Sequence, residues 1–384
     1  MTCSDSLLRP EIAALPAYTP GARPDKAAGA AANAEPRWGS QLHSRMPASG
    51  PVKLSSNENP YLPLPAVLEA INHAAGEINR YPDMMAQELL AALAAKHGVA
   101  EAQISTGNGS VAVLAHLLAA VVSPGDEVIY AWRSFEAYPI CVSVAHGVSV
   151  QVPITDEGRH DFPAMLQAIT PKTKAIIVCS PNNPTGPAVT AVEFIHFMNN
   201  VPAGVLVILD EAYAEFVRDP AAVDGIALLE HYPNLVTLRT MSKAYGLAGL
   251  RIGYAIGSPS LIAGVRAAST PFGVNALAQA AAVAALAPAA ERVASARVAA
   301  IVAERTRVVD GLRRQGWQVP DAQGNFVWLP LGRQAKEFAE AAKAEGLLVR
   351  PFDDEGINGG VRVTISEGAA NNNFLSFSAR YPQD

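Results

Sequence analysis

Five short runs constrain this chain more than anything else in it: DEVIYAW (126–132), VSVQVPI (148–154), KAIIVCS (174–180), GVLVILD (204–210) and NLVTLRT (234–240). Each is rich in β-branched residues and close to continuously apolar, and helical patterns separate them. A strand that is apolar on both sides must be covered on both sides, and strands joined through helices pair in parallel. The predicted fold is α/β: a three-layer α/β/α domain around a mostly parallel sheet. Half of the 384 residues are hydrophobic and 17% are charged, which supplies the buried surface such a sheet requires.

Around that core the chain divides into three parts. Residues 1–51 form an N-terminal arm, because the stretch from 20 to 51 is rich in Ala, Gly, Pro and Ser without helical or strand period. Regular patterning begins near Val52, and residues 52–280 make the large domain. The Ala-rich stretch from about 275 to 315 predicts one or two long helices that link to a smaller unit, completing the 281–384 region. There NFVWLPL, AKEFAEAAKAEG, LLVRPF, GVRVTIS and a last amphipathic segment read as strand, helix, strand, strand, helix: a small α+β domain.

Charge and cysteine content exclude several classes. A net charge of −6 with no dense basic run leaves no electrostatic footprint for nucleic acid. Cys3, Cys141 and Cys179 have neither metal-ligand nor disulfide-framework spacing, so no metal is expected and a reducing compartment fits. The first residues lack a basic stretch followed by an apolar one, and apolar runs elsewhere are short. The expectation is a cytoplasmic protein without a membrane span.

The segment TMSKAYGLAGLRIG (240–253) carries the chemistry. Lys243 follows a predicted parallel strand, at the end of the sheet where α/β folds bind ligands. A lysine desolvated there as the neutral amine can form a Schiff base with a carbonyl. Thr240, Ser242 and Arg251 offer hydroxyls and a guanidinium fork for a phosphate. A carbonyl and a phosphate on one ligand suggest pyridoxal 5'-phosphate. That group needs an anion at its ring nitrogen, and Asp210 ends an apolar strand; it needs donors at its phenolic oxygen, and Tyr213 and Asn183 supply them. Gly107, Gly109 and Ser110 open a helix whose free N–H groups suit the phosphate. Phe135, or Trp132, can cover the ring face.

The ordered motifs SNENP, RYPD, GNGS, SFEAYP, SPNNPTG, DEAY, SKAYGLAGLRIGY and GVRVTIS resemble the fold type I, aspartate aminotransferase superfamily of pyridoxal-phosphate enzymes. Within it the likeness is to the histidinol-phosphate aminotransferase family, above all its aromatic (phenylalanine) branch, over roughly residues 52 to 380. The resemblance implies Lys243 as the Schiff-base residue and Asp210 at the pyridine nitrogen. It implies Tyr213 and Asn183 at the phenolic oxygen, Ser110, Thr240, Ser242 and Arg251 around the phosphate, and Phe135 on the ring. It also implies a homodimer in which Tyr81 reaches the neighbour's phosphate, and a substrate acid held by Arg362. Asn57 is a further substrate-side candidate. Arg350 reads equally as a substrate contact or an ion pair, and Tyr18 as lining the substrate entrance or packing the arm.

The implied reaction moves an amino group between an amino acid and a 2-oxo acid. WRSFEAYP and VRPFDDEGINGGVRVT favour an aromatic amino acid, and Asp353 with Asp354 would repel a substrate phosphate lying nearby. Histidinol phosphate is the alternative substrate. A pyridoxal-phosphate decarboxylase would share nearly all these residues, and a non-catalytic cofactor-binding module would ordinarily add a DNA-binding segment, of which no pattern precedes Val52. The stretch 22–50 is longer than the family's usual link between YxPG and SNENP.

Overall fold

The structure, a computed structural model, describes residues 9–15, 21–22, 50–354 and 358–382. Tyr18 and all but the ends of the 22–50 segment lie outside the described residues.

The five apolar runs become the strands Glu127–Trp132, Val148–Pro153, Thr173–Cys179, Leu206–Asp210 and Leu235–Thr240. With Ile104–Gly107 and Gly253–Gly257 they form one seven-stranded sheet. Gly253–Gly257 runs antiparallel to both of its neighbours, Ile104–Gly107 and Leu235–Thr240, and the other pairings in this sheet are parallel. Side chains alternate across the sheet into two separate cores. Ile176, Val178, Val207 and Leu209 pack on one side, and Ala175, Ile177, Leu206 and Ile208 on the other. This double coverage explains why the strands read as continuously apolar, and it makes the expected three-layer α/β/α arrangement.

Local chemistry sets the helix ends. Thr190 and Glu193 form a reciprocal capping box on Ala191–Asn200, with Glu193 N donating to Thr190 Oγ1 at 3.2 Å and Thr190 N to Glu193 Oε2 at 3.0 Å. The Ala-rich stretch is two helices, Ala276–Leu286 and Pro288–Arg314. Pro288 divides them because it forces Ala287 into an extended conformation, ψ 141°, while suiting the first turn of the next helix.

A third core lies around Phe326, Phe338, Val361 and Phe374. Phe326–Leu329, Gly360–Thr364 and Arg350–Phe352 form an antiparallel three-stranded sheet, with Gly360–Thr364 central. The run LLVRPF serves two sheets: Leu347–Leu348 pairs in parallel with Val52–Lys53, and the chain then re-enters the antiparallel sheet at Arg350. No described helix is long and apolar enough to cross a membrane. Among the described residues no three His, Cys, Asp or Glu side chains are grouped to hold a metal ion.

Candidate active site

A cleft of about 390 Å³ opens at the carboxyl ends of the parallel strands. Strand register explains who meets there. Cys179 is the partner of Asp210, and Asp210 of Leu238, so the residues that follow these strands converge on one edge of the sheet.

Lys243 lies three residues past the end of its strand. Its Nζ donates to the carbonyl of Ser56 at 3.1 Å and sits 5.8 Å from the Tyr213 ring. Loss of solvent around the amine, reinforced by the positive charge of Arg362, lowers its pKa to about 7. A substantial fraction is therefore neutral near pH 7, as a nucleophilic amine requires.

Asp210 is buried on the same side. Its Oδ2 accepts from the Tyr138 phenol at 2.7 Å and its Oδ1 from the Ala212 N–H at 3.2 Å. Burial raises its pKa to about 6, and the two hydrogen bonds hold it from rising further. It is thus an anion at neutral pH in a setting that rewards a cationic partner.

Tyr213 and Asn183 are oriented by what they already hold. Tyr213 Oη accepts from Asn57 Nδ2 at 2.9 Å, which leaves its own proton to donate. Burial raises the phenol's pKa, so that proton is retained. Asn183 Oδ1 accepts from Arg362 Nη1; since arginine only donates, the Asn183 amide nitrogen is the atom left for a ligand. Arg362 Nη2 donates to the Ser55 carbonyl at 2.7 Å.

The opposite end of the cleft is built for an anion. Gly109 precedes the helix Ser110–Val121 with φ 86°, and a Cβ there would run into the Arg251 guanidinium. Gly253 likewise has no room for a Cβ against the Ser110 backbone, so strand and helix end close up. The first N–H groups of a helix have no intrahelical acceptor and carry its positive pole. Arg251 Nη1 donates to Ser242 Oγ at 3.3 Å and to the Ala248 carbonyl at 3.0 Å. Thr240 Oγ1 accepts from Ser242 N at 3.1 Å and donates to the Ile252 carbonyl at 3.2 Å, shaping the turn.

Phe135 and Ser110 line the cleft, and so do Arg350 and Arg362. Arg350 is buried and its Nη2 donates to Glu136 Oε2 at 2.7 Å, so it is an ion pair and a cleft residue together. Asn57 is fully buried behind Tyr213, tied to Thr364 through its N–H at 2.8 Å, and does not line the cleft. Tyr81 is 83% exposed, stacked on Phe272 with ring centroids 4.8 Å apart, away from this chain's own cleft. Asp353 and Asp354 need correction: they pair with Lys336 at 2.6 Å and Arg133 at 2.9 Å and do not line the cleft, so they give no ground for repulsion of a phosphate.

Three participants were missed from sequence: the Ser56 carbonyl, Tyr138 and Glu136. Tyr138 lies in the first turn of the helix Ala137–Val144, just after the loop that carries Phe135. Nothing in sequence marks a backbone carbonyl or a cross-chain ion pair.

Residues 49–375 match the aminotransferase class I and II family. The chain is 50% identical over 377 residues to the aromatic amino acid aminotransferase of Streptomyces avermitilis, covering 98% of each chain. It is 49% identical to the enzyme of that name from Streptomyces coelicolor, over 88% of this chain and 93% of that one. Among solved structures, the histidinol-phosphate aminotransferase of Sinorhizobium meliloti in complex with pyridoxal-5'-phosphate superposes with a TM-score of 0.77 at 29% identity, over 84% of this chain and 88% of that one. By the match to most of its length, this chain belongs to the class I and II aminotransferase family.

Proposed function

We propose that the protein is a pyridoxal-phosphate-dependent aminotransferase that moves amino groups between an aromatic amino acid, phenylalanine or tyrosine, and a 2-oxo acid such as 2-oxoglutarate. The carrying observation is Lys243: a desolvated amine with its pKa lowered to about 7, sharing one cleft with a buried carboxylate and an anion-binding helix end. The donor set fits the cofactor, with hydroxyls, a guanidinium and a side-chain-free approach at Gly109 for its phosphate and Asp210 for its ring nitrogen.

Bound pyridoxal phosphate supplies an aldehyde for condensation with an amine and a protonated ring that serves as an electron sink. Lys243 Nζ would hold the aldehyde carbon covalently, and as the free amine it would carry a proton from the substrate α-carbon to the cofactor carbon. Asp210 would keep the ring nitrogen protonated. Tyr213 Oη and Asn183 Nδ2 would donate to the phenolic oxygen, Ser110, Ser242 and Arg251 would hold the phosphate within the turn shaped by Thr240, and Phe135 would cover the ring. Arg362 receives the substrate carboxylate. Asn57 acts through Tyr213.

The aromatic substrate rests on the two Streptomyces relatives at about 50% identity; the relative named for histidinol phosphate stands at 29%. The free thiols Cys141 and Cys179 support a reducing, cytoplasmic setting. The apolar side chains Ile78, Tyr81, Met84 and Phe272 are left exposed, which supports a homodimer. The deciding experiment is single-turnover spectroscopy of the holoenzyme with phenylalanine, tyrosine, histidinol phosphate and glutamate. Phenylalanine or tyrosine should convert the cofactor fastest; histidinol phosphate doing so overturns the aromatic reading.

A further inference from the structure

Lys243 is held at both ends by one short segment. The Ser56 carbonyl accepts from its Nζ at 3.1 Å, and three residues on, Asn59 Nδ2 donates to the main-chain carbonyls of Lys243 at 3.1 Å and Ala244 at 3.0 Å. Pro60 has no N–H, so the next one available is that of Tyr61, which donates to Asn59 Oδ1 at 3.0 Å. An N–H only donates, so this contact fixes which way the amide faces and leaves both Nδ2 hydrogens for the two carbonyls. The loop needs them. Residues 243–245 belong to no helix or strand, and their internal support is a 3.2 Å hydrogen bond from Gly246 N to the Lys243 carbonyl.

We propose that Asn59 is a positioning residue for Lys243: by clamping these two carbonyls it sets where the side chain starts, and so where the free amine rests in the cleft. This deepens the reading of Lys243 as the Schiff-base residue and rests on it. Because residues 56 and 59 belong to the same segment, that segment sets the separation of the two grips. It is itself fixed on its far side, where the Ser55 carbonyl accepts from Arg362 Nη2 at 2.7 Å and Asn57 N donates to Thr364 Oγ1 at 2.8 Å. Asn59 does not line the cleft and spends its donors on the main chain, so it acts only through Lys243. With the clamp removed the loop is free to shift, water reaches Nζ, and the amine returns toward the ordinary lysine range. A misplaced amine also transfers protons more slowly.

The test compares wild type with Asn59→Ala and with Asn59→Leu, which keeps the volume without the donors. In the full-length apoprotein, trace acetylation of Lys243 against an internal-standard amine, between about pH 6 and 11, gives the midpoint of amine deprotonation by peptide mass spectrometry. Both variants should raise that midpoint by about one unit or more. In the holoenzyme, single-turnover rates with phenylalanine are counted per bound cofactor, so that misfolded protein drops out. They should fall about tenfold or more, while binding of 3-phenylpropionate changes by less than about twofold. An unmoved midpoint overturns the proposal, and so does a rate lost only in step with 3-phenylpropionate binding, which would make Asn59 a support of the cleft. A shift in Asn59→Ala that a folded Asn59→Leu does not share also overturns it, since packing would then be the cause; where one variant fails to fold, the other decides. Wild type in which borohydride links no cofactor to Lys243 would instead sink the Schiff-base reading, while the acetylation midpoint would still judge Asn59.

Discussion

The Tyr138 phenol donates a 2.7 Å hydrogen bond to Asp210, and both side chains are buried beneath the cleft. Burial lifts the carboxyl to about 6 while this bond opposes the rise. A hydrogen bond to a buried charge is worth about 1.5–3 kcal/mol, and one pKa unit about 1.4 kcal/mol. Tyr138→Phe should therefore move the acid limb of pyridoxal-phosphate binding by the apoprotein upward by about one unit or more. Affinity should fall about tenfold near pH 6 and much less at pH 8.5. A limb that stays in place would leave Tyr138 with packing alone.

Lys243 has an effect on stability opposite to its effect on turnover. Its folded pKa of about 7 lies below the ordinary 10.5, so between those values the unfolded chain binds more protons than the folded one. The residue's cost to the apoprotein is full below about pH 7 and fades as pH rises toward 10.5. Lys243→Met keeps the volume without the charge. Its apoprotein should melt higher than wild type at pH 6.5, with the gap narrowing toward pH 10, while turnover falls by roughly a thousandfold or more. Equal melting curves across that range would mean the amine is better solvated than its surroundings indicate.

The sheet was legible because two-sided burial leaves continuous apolar runs, and the five strands lie within two residues of where those runs predict them. Lys243, Asp210, Tyr213, Asn183 and Arg251 were legible because each follows a strand or turn in an ordered set of motifs. What stayed hidden depends on contacts between distant segments. Asn57 and Tyr213 are 156 positions apart, Arg350 and Glu136 214 apart, and neither pairing leaves a local pattern. Asp353 and Asp354 misled for the same reason: their partners Lys336 and Arg133 come from elsewhere in the chain.

Gly109→Ala tests the phosphate end of the cleft. The backbone there is at φ 86°, costly for any residue with a side chain, and the new methyl group would press on the Arg251 guanidinium. Strain of about 1–3 kcal/mol, if relieved by moving Arg251, should weaken pyridoxal-phosphate binding by roughly 5- to 150-fold. Equilibrium dialysis against the cofactor measures this directly, and the far-ultraviolet dichroism should be that of the wild type. Tight binding retained in Gly109→Ala would separate Arg251 from the phosphate.

Tyr81 and Phe272 form a stacked pair with Tyr81 83% and Phe272 40% exposed, and Ile78 and Met84 are exposed close by in sequence. Apolar side chains grouped in this way are better covered than solvated. A second copy is the expected cover, with Tyr81 then available to the partner's phosphate site. Phe272→Glu introduces a charge into that contact and should convert a dimer into a monomer at micromolar concentration in sedimentation equilibrium. Cofactor affinity should fall with it, because part of each site is lost. Tyr81→Phe separates the two effects: it preserves the apolar contact and the dimer but removes one hydroxyl from the phosphate, so it should weaken the cofactor alone by about 5- to 30-fold. A monomeric wild type with full activity would refute the shared-site arrangement.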